Sequence, residues 1–560
     1  MADLSLPSEL GTIEEIYVPR SENLELKTTE HPSAGLSRAI PGIILIQDAH
    51  AVPDAQQSIL ELVKYLNEHF GLNLVGLEGA SGRLDPTLLR NCPDKGSLNQ
   101  ILEDYLSRGE ISGAAAAAVL SGKEADYYGI EDQALYEEGI NQFLQALQSQ
   151  PALLREIVLL RDRLSVLKKA VYSPELFDFD QRISALDEDT ADWIEFFKYL
   201  GAVKPAGGQN PDFQKQYPHL AAVFKEICTG KAPHSRQVLR KIQQLSQIIQ
   251  KRLRDKKQIL EFRGKLQDFE TERIGPEAFA HYLYESAMRM AAQTQEGETG
   301  PEETSALPDI FRELHPLIDH YDLLNRMKGP VFLRELDTYV TELKKQLYRN
   351  DSERRLDRLS REYRLLAKLV KLELSRDEWD EIDEIKEEIQ DLGSRLQKGE
   401  EAALQGRIHH LFSSNRISTF IHFYQIAEQR DHAFYKNITR LMKENTAILV
   451  AGGFHTQGLR KIFKENGIAY ALIAPAMRKV PRQTRYFDYM RGEVSWKDYF
   501  EVRNGRIRLY DAFMRATVDR LFEKVEGGRW KVERKKPEAG KWKMDGRWRK
   551  ERHTQTSGAI

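Results

Sequence analysis

Short apolar runs that read as buried strands occur in two blocks of this chain, separated by about three hundred residues of almost purely helical periodicity. The first block predicts strands near residues 42–46, 72–77 and 126–130, with helical segments between them. The second block predicts strands near residues 446–450 and 468–473. Strands that alternate with helices are typical of a parallel sheet. We therefore predict an α/β fold, a mainly parallel sheet with flanking helices that is interrupted by a large all-helical insertion.

This pattern predicts four parts of the chain. Residues 1–132 form the first half of the α/β core, residues 133–445 the helical insertion, residues 446–480 the second half of the core, and residues 481–560 a basic C-terminal extension. The insertion contains charged, amphipathic helices. One run, residues 235–270, approaches a heptad repeat, so we expect one long helix of coiled-coil type there.

Two segments are predicted to be disordered. Residues 293–305 are polar and acidic and contain Gly and Pro, a composition that buries little apolar surface. The tail from about residue 529 carries 11 Lys or Arg against 4 Asp or Glu, together with three tryptophans. A basic tail with aromatic residues suits nucleic acid or an acidic surface, but we favour a disordered, solubilising tail.

The composition excludes several classes of protein. A formal net charge of -3 does not suit a whole-molecule nucleic-acid binder, so nucleic acid is not an expected partner. Cys92 and Cys228 are the two cysteines, which excludes a disulfide framework and argues against a cysteine-based zinc site. The first ten residues do not read as a secretory signal, and no window approaches the roughly 18 apolar residues that cross a bilayer. The expectation is a soluble cytoplasmic protein.

Polar residues follow four of the predicted strands directly. Asp48 and His50 come after the first strand, Glu78 after the second, Glu131 after the third, and His455 after the strand near residues 446–450. The carboxyl ends of parallel strands open on one edge of a sheet, where ligands bind. The sequence therefore predicts one cleft with two imidazoles and several carboxylates, the composition of an acid/base site or a metal site.

Each of these residues also has a simpler interpretation. The simpler interpretation of His50 is a residue that caps a helix or packs against it, although Asp48 is close enough in sequence to orient its imidazole as a general base. Glu78 follows a buried strand and needs a partner, which a structural ion pair would supply. Glu131 at a helix start is often a cap. The two glycines before His455 predict a tight turn that directs this imidazole into the cleft.

The helix ahead of the strand near residues 446–450 carries a further candidate pair. Arg430 and Asp431 are adjacent there, and Asn437 follows six residues after Asp431, roughly on the opposite side of the helix. Neighbouring Arg and Asp residues are usually solvated, so their position alone favours a structural role.

Taken together, these motifs resemble the superfamily that joins the TIKI and TraB proteins, the erythromycin esterases and the ChaN-like haem-binding lipoproteins. Gly452-Gly453-Phe454-His455 fits the family's second Gly-x-x-His motif, and Glu78 fits its strand-end acid. Gln47-Asp48-Ala49-His50 departs from the first motif, because Gln47 stands for glycine and Asp48 for glutamate. Arg430-Asp431 resembles the Arg-Asp helix of the esterase branch. The resemblance covers residues 42–132 and 430–475, about a quarter of the chain.

The resemblance implies several activities: metal-dependent peptide cleavage, ester hydrolysis or haem binding. Our first hypothesis is a hydrolase of a small-molecule or peptide substrate. In its metal-free form His50 activates water, Asp48 or Glu78 orients the imidazole, and His455 stabilises or protonates the leaving side. In its metal form His50, Glu78 and His455 hold Mn, Co, Fe or Zn. Arg430, Asp431 and Glu131 are expected to bind substrate.

Two alternatives remain open at this stage. In the first, the cleft holds haem or another ligand without turnover. In the second, the protein is a scaffold that binds a partner through the helical insertion, and its core has lost its chemistry. Long charged helices also make a homodimer through the insertion plausible.

Overall fold

The computed structural model describes residues 4–7, 10–19, 42–122, 124–187, 193–203, 211–228, 235–271, 276–295, 307–326, 330–391, 400–443, 445–477, 485–500, 502–503, 506–507, 509–524, 530–535 and 543–550. The chain divides into two compact units. Residues 1–164 and 359–560 form the first, which we call the core unit, and residues 165–358 form the second, the helical unit. The separately compact unit is therefore smaller than the predicted insertion of residues 133–445.

Seven strands of the core unit form one mixed sheet, in the order β1-β7-β2-β6-β3-β5-β4. They are β1 (Gly11–Tyr17), β2 (Gly42–Asp48), β3 (Leu74–Leu77), β4 (Ser81–Leu84), β5 (Asp126–Ile130), β6 (Ala447–Gly452) and β7 (Ala469–Pro475). The five inner strands are parallel, and the edge strands β1 and β4 are antiparallel to their neighbours. The predicted fold class is confirmed, while the edge strand β4 is an addition that apolar runs do not indicate.

Strand β6 returns to the sheet late in the chain and lies between β2 and β3. Ile44 pairs with Ile448 on one side of it, and Val75 pairs with Ile448 on the other. The carboxyl ends of β2, β6, β3 and β5 are consequently neighbours. This order brings residues near position 50 and near position 455 to the same edge of the sheet.

Both faces of this sheet are covered, as expected for parallel strands. Alternate residues of β2 enter different hydrophobic clusters: Ile44 and Ile46 pack on one face and Ile43 and Leu45 on the other. Helices α1, α3, α4 and α21 cover the first face, and α18 and α19 cover the second. The strands are therefore held rigidly from two sides, and their ends present side chains from a fixed frame.

The helices are numbered in chain order. The first five are α1 (Pro53–Phe70), α2 (Thr87–Arg90), α3 (Lys95–Ser107), α4 (Gly113–Leu120) and α5 (Gln133–Val171). The next nine are α6 (Pro174–Asp187), α7 (Trp193–Val203), α8 (Pro211–Gln216), α9 (Pro218–Cys228), α10 (Ser235–Arg252), α11 (Lys256–Glu270), α12 (Pro276–Gln295), α13 (Leu307–Arg326) and α14 (Pro330–Leu347). The remainder are α15 (Asp351–Lys371), α16 (Arg376–Asp391), α17 (Glu400–Phe412), α18 (Ser418–Met442), α19 (Gly453–Glu465), α20 (Tyr486–Met490) and α21 (Leu509–Lys524).

Every described element of the helical unit is a helix, and two clusters of buried side chains stabilise it. One cluster joins α6 to α9 and α14, and the other joins α10 to α13. The expectation of one long helix over residues 235–270 is wrong. Helix α10 ends at Arg252, and Asp255 begins α11 by accepting a hydrogen bond from the Gln258 backbone N–H. This side-chain cap satisfies a free N–H at the new helix start and breaks the heptad-like run.

The two segments predicted to be disordered have different outcomes. Residues 293–295 are the last residues of α12, and the rest of the predicted loop lies outside the described residues. In the tail, the described residues form an antiparallel pair, β10 (Trp530–Lys535) with β11 (Lys543–Lys550). Trp530 and Val532 alternate with charged residues, the period-two pattern of a strand, which our prediction overlooked. A shorter pair joins β8 (Val502–Arg503) to β9 (Arg506–Ile507).

No helix among the described residues combines the length and the apolar character that crossing a membrane requires.

Candidate functional site

The side chains that follow the strands meet at one edge of the sheet. Asp48 is the last residue of β2, His50 lies in the turn before α1, Glu78 follows β3, Glu131 follows β5, and His455 is the third residue of α19. The Nε2 atoms of His50 and His455 each lie 3.4 Å from a carboxylate oxygen of Glu78. The predicted convergence of two imidazoles and an acid is present in the structure.

His50 is held by a chain of polar contacts behind it. Its Nδ1 lies 2.9 Å from Asp48 Oδ2. Gln56 of α1 donates to Asp48 Oδ1 at 2.6 Å, and its own carbonyl oxygen accepts from the Gly113 backbone N–H at 2.7 Å. The Asp48 side chain is 4% exposed and the His50 side chain 31% exposed. Asp48 and Gln56 are therefore the buried support of an imidazole that reaches solvent.

Glu78 is the centre of the site. Its Oε2 accepts from the Gly452 backbone N–H at 2.6 Å, and its Oε1 accepts from Arg430 Nη2 at 3.0 Å. A Cβ at Gly452 would lie 2.7 Å from His50 Nε2 and 3.2 Å from Glu78 Oε2. Only glycine at this position lets the end of β6 approach both side chains. Gly452, the first of the two glycines before His455, therefore has a packing role.

His455 has a carboxylate partner of its own. Its Nδ1 lies 2.7 Å from Asp431 Oδ1, and Arg376 of α16 donates to Asp431 Oδ2 at 3.0 Å. A second nitrogen of Arg376 donates to Glu428 at 2.5 Å. The approach of α18 to α19 is close here, because a Cβ at Gly458 would lie 1.9 Å from Asp431 Oδ2. The pair is sealed, with His455 6% and Asp431 1% exposed at their side chains.

Arg430 joins two of the strand-end acids. Its Nε and Nη2 donate to the two oxygens of Glu131 at 3.0 and 2.5 Å, and Nη2 also reaches Glu78. Glu131 accepts in addition from the Gly79 backbone N–H at 3.0 Å. The guanidinium lies over the rings of Tyr136 and Phe434. A bidentate pair with stacked aromatic rings is the environment that arginine suits better than lysine.

The electrostatics of the site favour charged imidazoles. Burial lowers the pKa of His50, but the charges of Asp48 and Glu78 outweigh this and hold the pKa well above its usual value of 6.5. Burial likewise lowers the pKa of His455, whereas Glu78 and the hydrogen bond to Asp431 raise it, with a net value of about 9.

The carboxylates respond in opposite directions. Burial raises the pKa of Glu78, but His455 and His50 lower it, and the net result lies well below 4.5. Burial raises the pKa of Asp431, and its contacts with His455 and Arg376 offset that rise only in part. Glu78 is consequently more firmly ionised than Asp431, and it serves as the shared counter-ion of both imidazoles.

A cavity of about 130 Å³ opens on this site. Asp48, His50, Glu78 and Arg430 form its polar wall. Most of the remaining lining consists of apolar and aromatic side chains, which include Tyr486, Tyr489, Trp496, Tyr510 and Phe513. The ring of Tyr486 stacks on His50, with 5.7 Å between centroids and 9° between planes. A concave, mainly apolar space with a few convergent polar groups is the usual form of a ligand site.

The cavity separates the predicted site residues into two groups. Asp48, His50, Glu78 and Arg430 line it. His455, Asp431 and Glu131 do not, since they lie buried behind Glu78 and Arg430. His455 was expected to point into the cleft, but α19 begins at Gly453 and its first turn carries the imidazole inward. Asp431 and Glu131 were expected to contact substrate. In the structure Asp431 contacts His455 instead, and Glu131 contacts Arg430.

Other members of the site are absent from the sequence prediction. In the sequence Gln56 lies in the predicted helix after His50 without an indicated role, and nothing in the strand-end pattern of the sequence indicates Arg376 or the aromatic residues after position 485. The extension beyond Pro481 was interpreted from its positive charge. The signal that could have indicated its part in the site is the cluster Tyr486, Phe487 and Tyr489, because such large rings seldom occur together unless they are buried.

The residues fit a metal ion poorly. Among the residues that the structure describes, no three His, Cys, Asp or Glu side chains are arranged to hold a metal ion. Glu78, the central carboxylate of the expected ligand set, already accepts hydrogen bonds from the Arg430 guanidinium and from the Gly452 backbone N–H.

No protein-family model, curated protein or solved structure matches this chain. The resemblance to the TIKI, erythromycin esterase and ChaN-like superfamily therefore stays a prediction from the motifs.

Proposed function

We propose that this chain is a hydrolase in which His50 activates water without a metal ion. The observation that carries the proposal is the Asp48–His50 pair, whose imidazole is 31% exposed and lines a cavity of about 130 Å³. An imidazole held at one nitrogen by a buried carboxylate, with its ring lining a cavity, is the arrangement of a general base. The substrate is an ester or an amide of a small molecule or peptide.

The proton path follows from the two ring nitrogens of His50. Asp48 accepts the Nδ1–H, which leaves the lone pair of the neutral ring on Nε2. Glu78 Oε2 lies 3.4 Å from Nε2, too far for a strong hydrogen bond. Nε2 takes a proton from water while the water oxygen attacks the acyl carbon. The same proton then passes to the leaving oxygen or nitrogen as its bond to the acyl carbon breaks, which releases the carboxylic acid and restores the neutral imidazole.

Charge that develops on the substrate oxygen needs a fixed cation. Arg430 lines the cavity and is locked by Glu78 and Glu131, so its guanidinium stabilises an oxyanion without first having to reorganise. The pair of His455 with Asp431 holds Glu78 from behind. His455 is thus a positioning residue in this proposal, and the leaving-group role first expected for it passes to His50.

Hydrolysis of chromogenic esters and of short peptides by the full chain tests the proposal. His50→Gln is expected to lower kcat/KM by about 10²–10⁴, the usual contribution of a positioned proton-transfer group. Chelators should leave the rate of the wild-type protein unchanged.

A matched control is available elsewhere in the core unit. His409 Nε2 lies 2.9 Å from Glu362, also as a largely buried imidazole–carboxylate pair, but it does not line the cavity. His409→Gln should keep kcat/KM within about twofold of wild type. Equal losses in both variants, or turnover that disappears with a chelator, would contradict a role for His50 as the base.

Ligand binding without turnover and a homodimer remain predictions from the sequence. Haem or another ligand held without turnover would show as binding in both wild type and His50→Gln with no hydrolysis in either. A homodimer through the predicted helical insertion is tested by the mass of the protein in solution.

A further inference from the structure

Three tyrosine hydroxyls in the lining of the cavity are open and unpaired. Tyr136, Tyr486 and Tyr489 line the cavity, and each is half-buried. Their hydroxyls make no hydrogen bond with any residue that the structure describes, and the three oxygens are not sealed from solvent. The hydroxyl of Tyr510 differs in this respect, because it is sealed inside the lining. The three open phenols are therefore available to a group bound in the cavity.

Arg430 has one guanidinium nitrogen that is not engaged. Its Nε and Nη2 donate to Glu131 and Glu78. Its Nη1 donates to none of the described residues and, like the three phenol oxygens, is not sealed. Because Arg430 lines the cavity, Nη1 is the nitrogen that a bound group can reach. A guanidinium nitrogen only donates, so the atom that it binds is an acceptor.

The carboxylates that line the cavity are already engaged within the protein. Asp48, Glu78 and Glu110 each accept a hydrogen bond from another residue. The hydrogen-bonding capacity that stays open therefore lies mainly in donors, the Arg430 nitrogen and the phenols. Donors that converge without an acceptor suit an oxygen that carries negative charge.

The open phenols lie beside the two groups that carry the proposed chemistry. The Cζ of Arg430 lies 5.5 Å from the centroid of the Tyr136 ring. The ring of Tyr486 stacks on His50, and Tyr489 follows Tyr486 by three residues on α20, which places both on one face of this helix. Phenol hydroxyls therefore accompany both the proposed base and the cation of the site.

Burial keeps two of these phenols protonated. It raises the pKa of Tyr136 well above the usual value of 10, and the neighbouring Tyr489 and Glu131 raise it further. Burial also raises the pKa of Tyr489, although the charge of His50 opposes that rise. Both hydroxyls consequently carry a proton that they can donate at neutral pH.

We propose that the hydroxyls of Tyr136 and Tyr489 and the Nη1 of Arg430 form an oxyanion hole for the tetrahedral intermediate of hydrolysis. As the water oxygen bonds to the acyl carbon, its proton passes to His50 Nε2, and the π electrons of the carbonyl move to the substrate oxygen. This oxygen is the anion that the three donors bind, and the carbonyl forms again when the bond to the leaving group breaks. The step rests on the proposed function, whereas binding of a tetrahedral anion does not require turnover.

Binding of methyl propylphosphonate and of 3-hexanone to the full chain, measured by calorimetry, tests the recognition alone. The phosphonate is a tetrahedral anion, whereas the ketone is planar and uncharged. Both are small enough to try in a cavity of about 130 Å³, since one of about 150 Å³ accommodates benzene. We expect wild type to bind the phosphonate about tenfold more tightly than the ketone, because hydrogen bonds to a charged group are the stronger ones.

Tyr136→Phe should weaken phosphonate binding about tenfold and leave ketone binding within about threefold of wild type. Tyr489→Phe serves as a second variant if Tyr136→Phe does not fold. In the ester assay Tyr136→Phe should lower kcat by about 10²–10³, the usual cost of removing one oxyanion-hole donor.

Tyr435→Phe is the matched control. It removes the hydroxyl of a half-buried tyrosine of the core unit that does not line the cavity, and it should leave both affinities as in wild type. Equal affinity for both probes, no binding of the phosphonate, or a phosphonate affinity unchanged in both Tyr136→Phe and Tyr489→Phe would overturn the inference. A preference for the phosphonate that depends on these tyrosines, with no hydrolysis of any ester, would leave the inference standing and remove the proposed function.

Discussion

Two imidazole–carboxylate pairs lie beside Glu78, and they differ mainly in exposure. His50 with Asp48 lines the cavity and is 31% exposed, whereas His455 with Asp431 is 6% exposed and lies outside the cavity. Both direct Nε2 toward the same carboxylate at 3.4 Å. Pairing alone therefore does not identify a catalytic histidine. Access to the cavity separates the proposed base from the imidazole that supports Glu78.

The largest expected effect concerns the cation that holds Glu78 between the two pairs. Arg430→Gln leaves the buried carboxylates of Glu78 and Glu131 without their shared guanidinium. We expect the free energy of unfolding, measured with urea, to fall by about 3–5 kcal/mol.

Arg416→Gln is the control for this variant. It breaks an exposed ion pair with Glu156, and such pairs contribute less than about 1 kcal/mol. Similar losses in the two variants would show that Glu78 does not depend on Arg430.

The sealed pair should appear in the pH dependence of stability. His455 has a pKa of about 9 in the folded protein against an ordinary value of 6.5. A raised pKa of this kind stabilises the fold fully below about pH 6.5, and the stabilisation is lost as the pH rises through about 9. The difference in free energy of unfolding between wild type and His455→Gln should shrink by about 1–3 kcal/mol over this range. A difference that stays constant would contradict the assignment.

The exposed pair should appear instead in the pH dependence of turnover. The base must be neutral to accept a proton, so the rate is expected to rise with pH through the raised pKa of His50. Asp48→Asn removes a carboxylate that raises this pKa, and the rising limb should therefore move to lower pH. The maximal rate should fall by about tenfold or more, because the imidazole loses its support.

Asp126→Asn changes an exposed carboxylate at the start of β5 and is the control for Asp48→Asn. Its pH profile should match that of wild type. A rising limb that stays in place in Asp48→Asn would mean that another group is the base.

The strands and the polar residues at their ends were predictable because local pattern encodes both. Apolar runs locate β2, β3, β5, β6 and β7, and parallel pairing brings their carboxyl ends to one edge. Asp48, His50 and Glu78 were found in this way.

What the sequence did not reveal depends on tertiary contacts. The inward turn of His455 follows from where α19 begins, and the role of Gly452 follows from the approach of His50 and Glu78. Arg376 and Trp496 reach the site from segments that neither periodicity nor strand-end position connects to it. The edge strand β4 was missed because only one of its four residues is buried.

Rescue by free imidazole tests the central claim most directly, because it depends on access to the cavity. In His50→Ala the deleted ring leaves space that joins the cavity, so added imidazole should restore a measurable fraction of ester hydrolysis. In His455→Ala the space is sealed, and imidazole should restore nothing. Wild-type turnover by His50→Ala without imidazole, or rescue of His455→Ala but not of His50→Ala, would contradict the account.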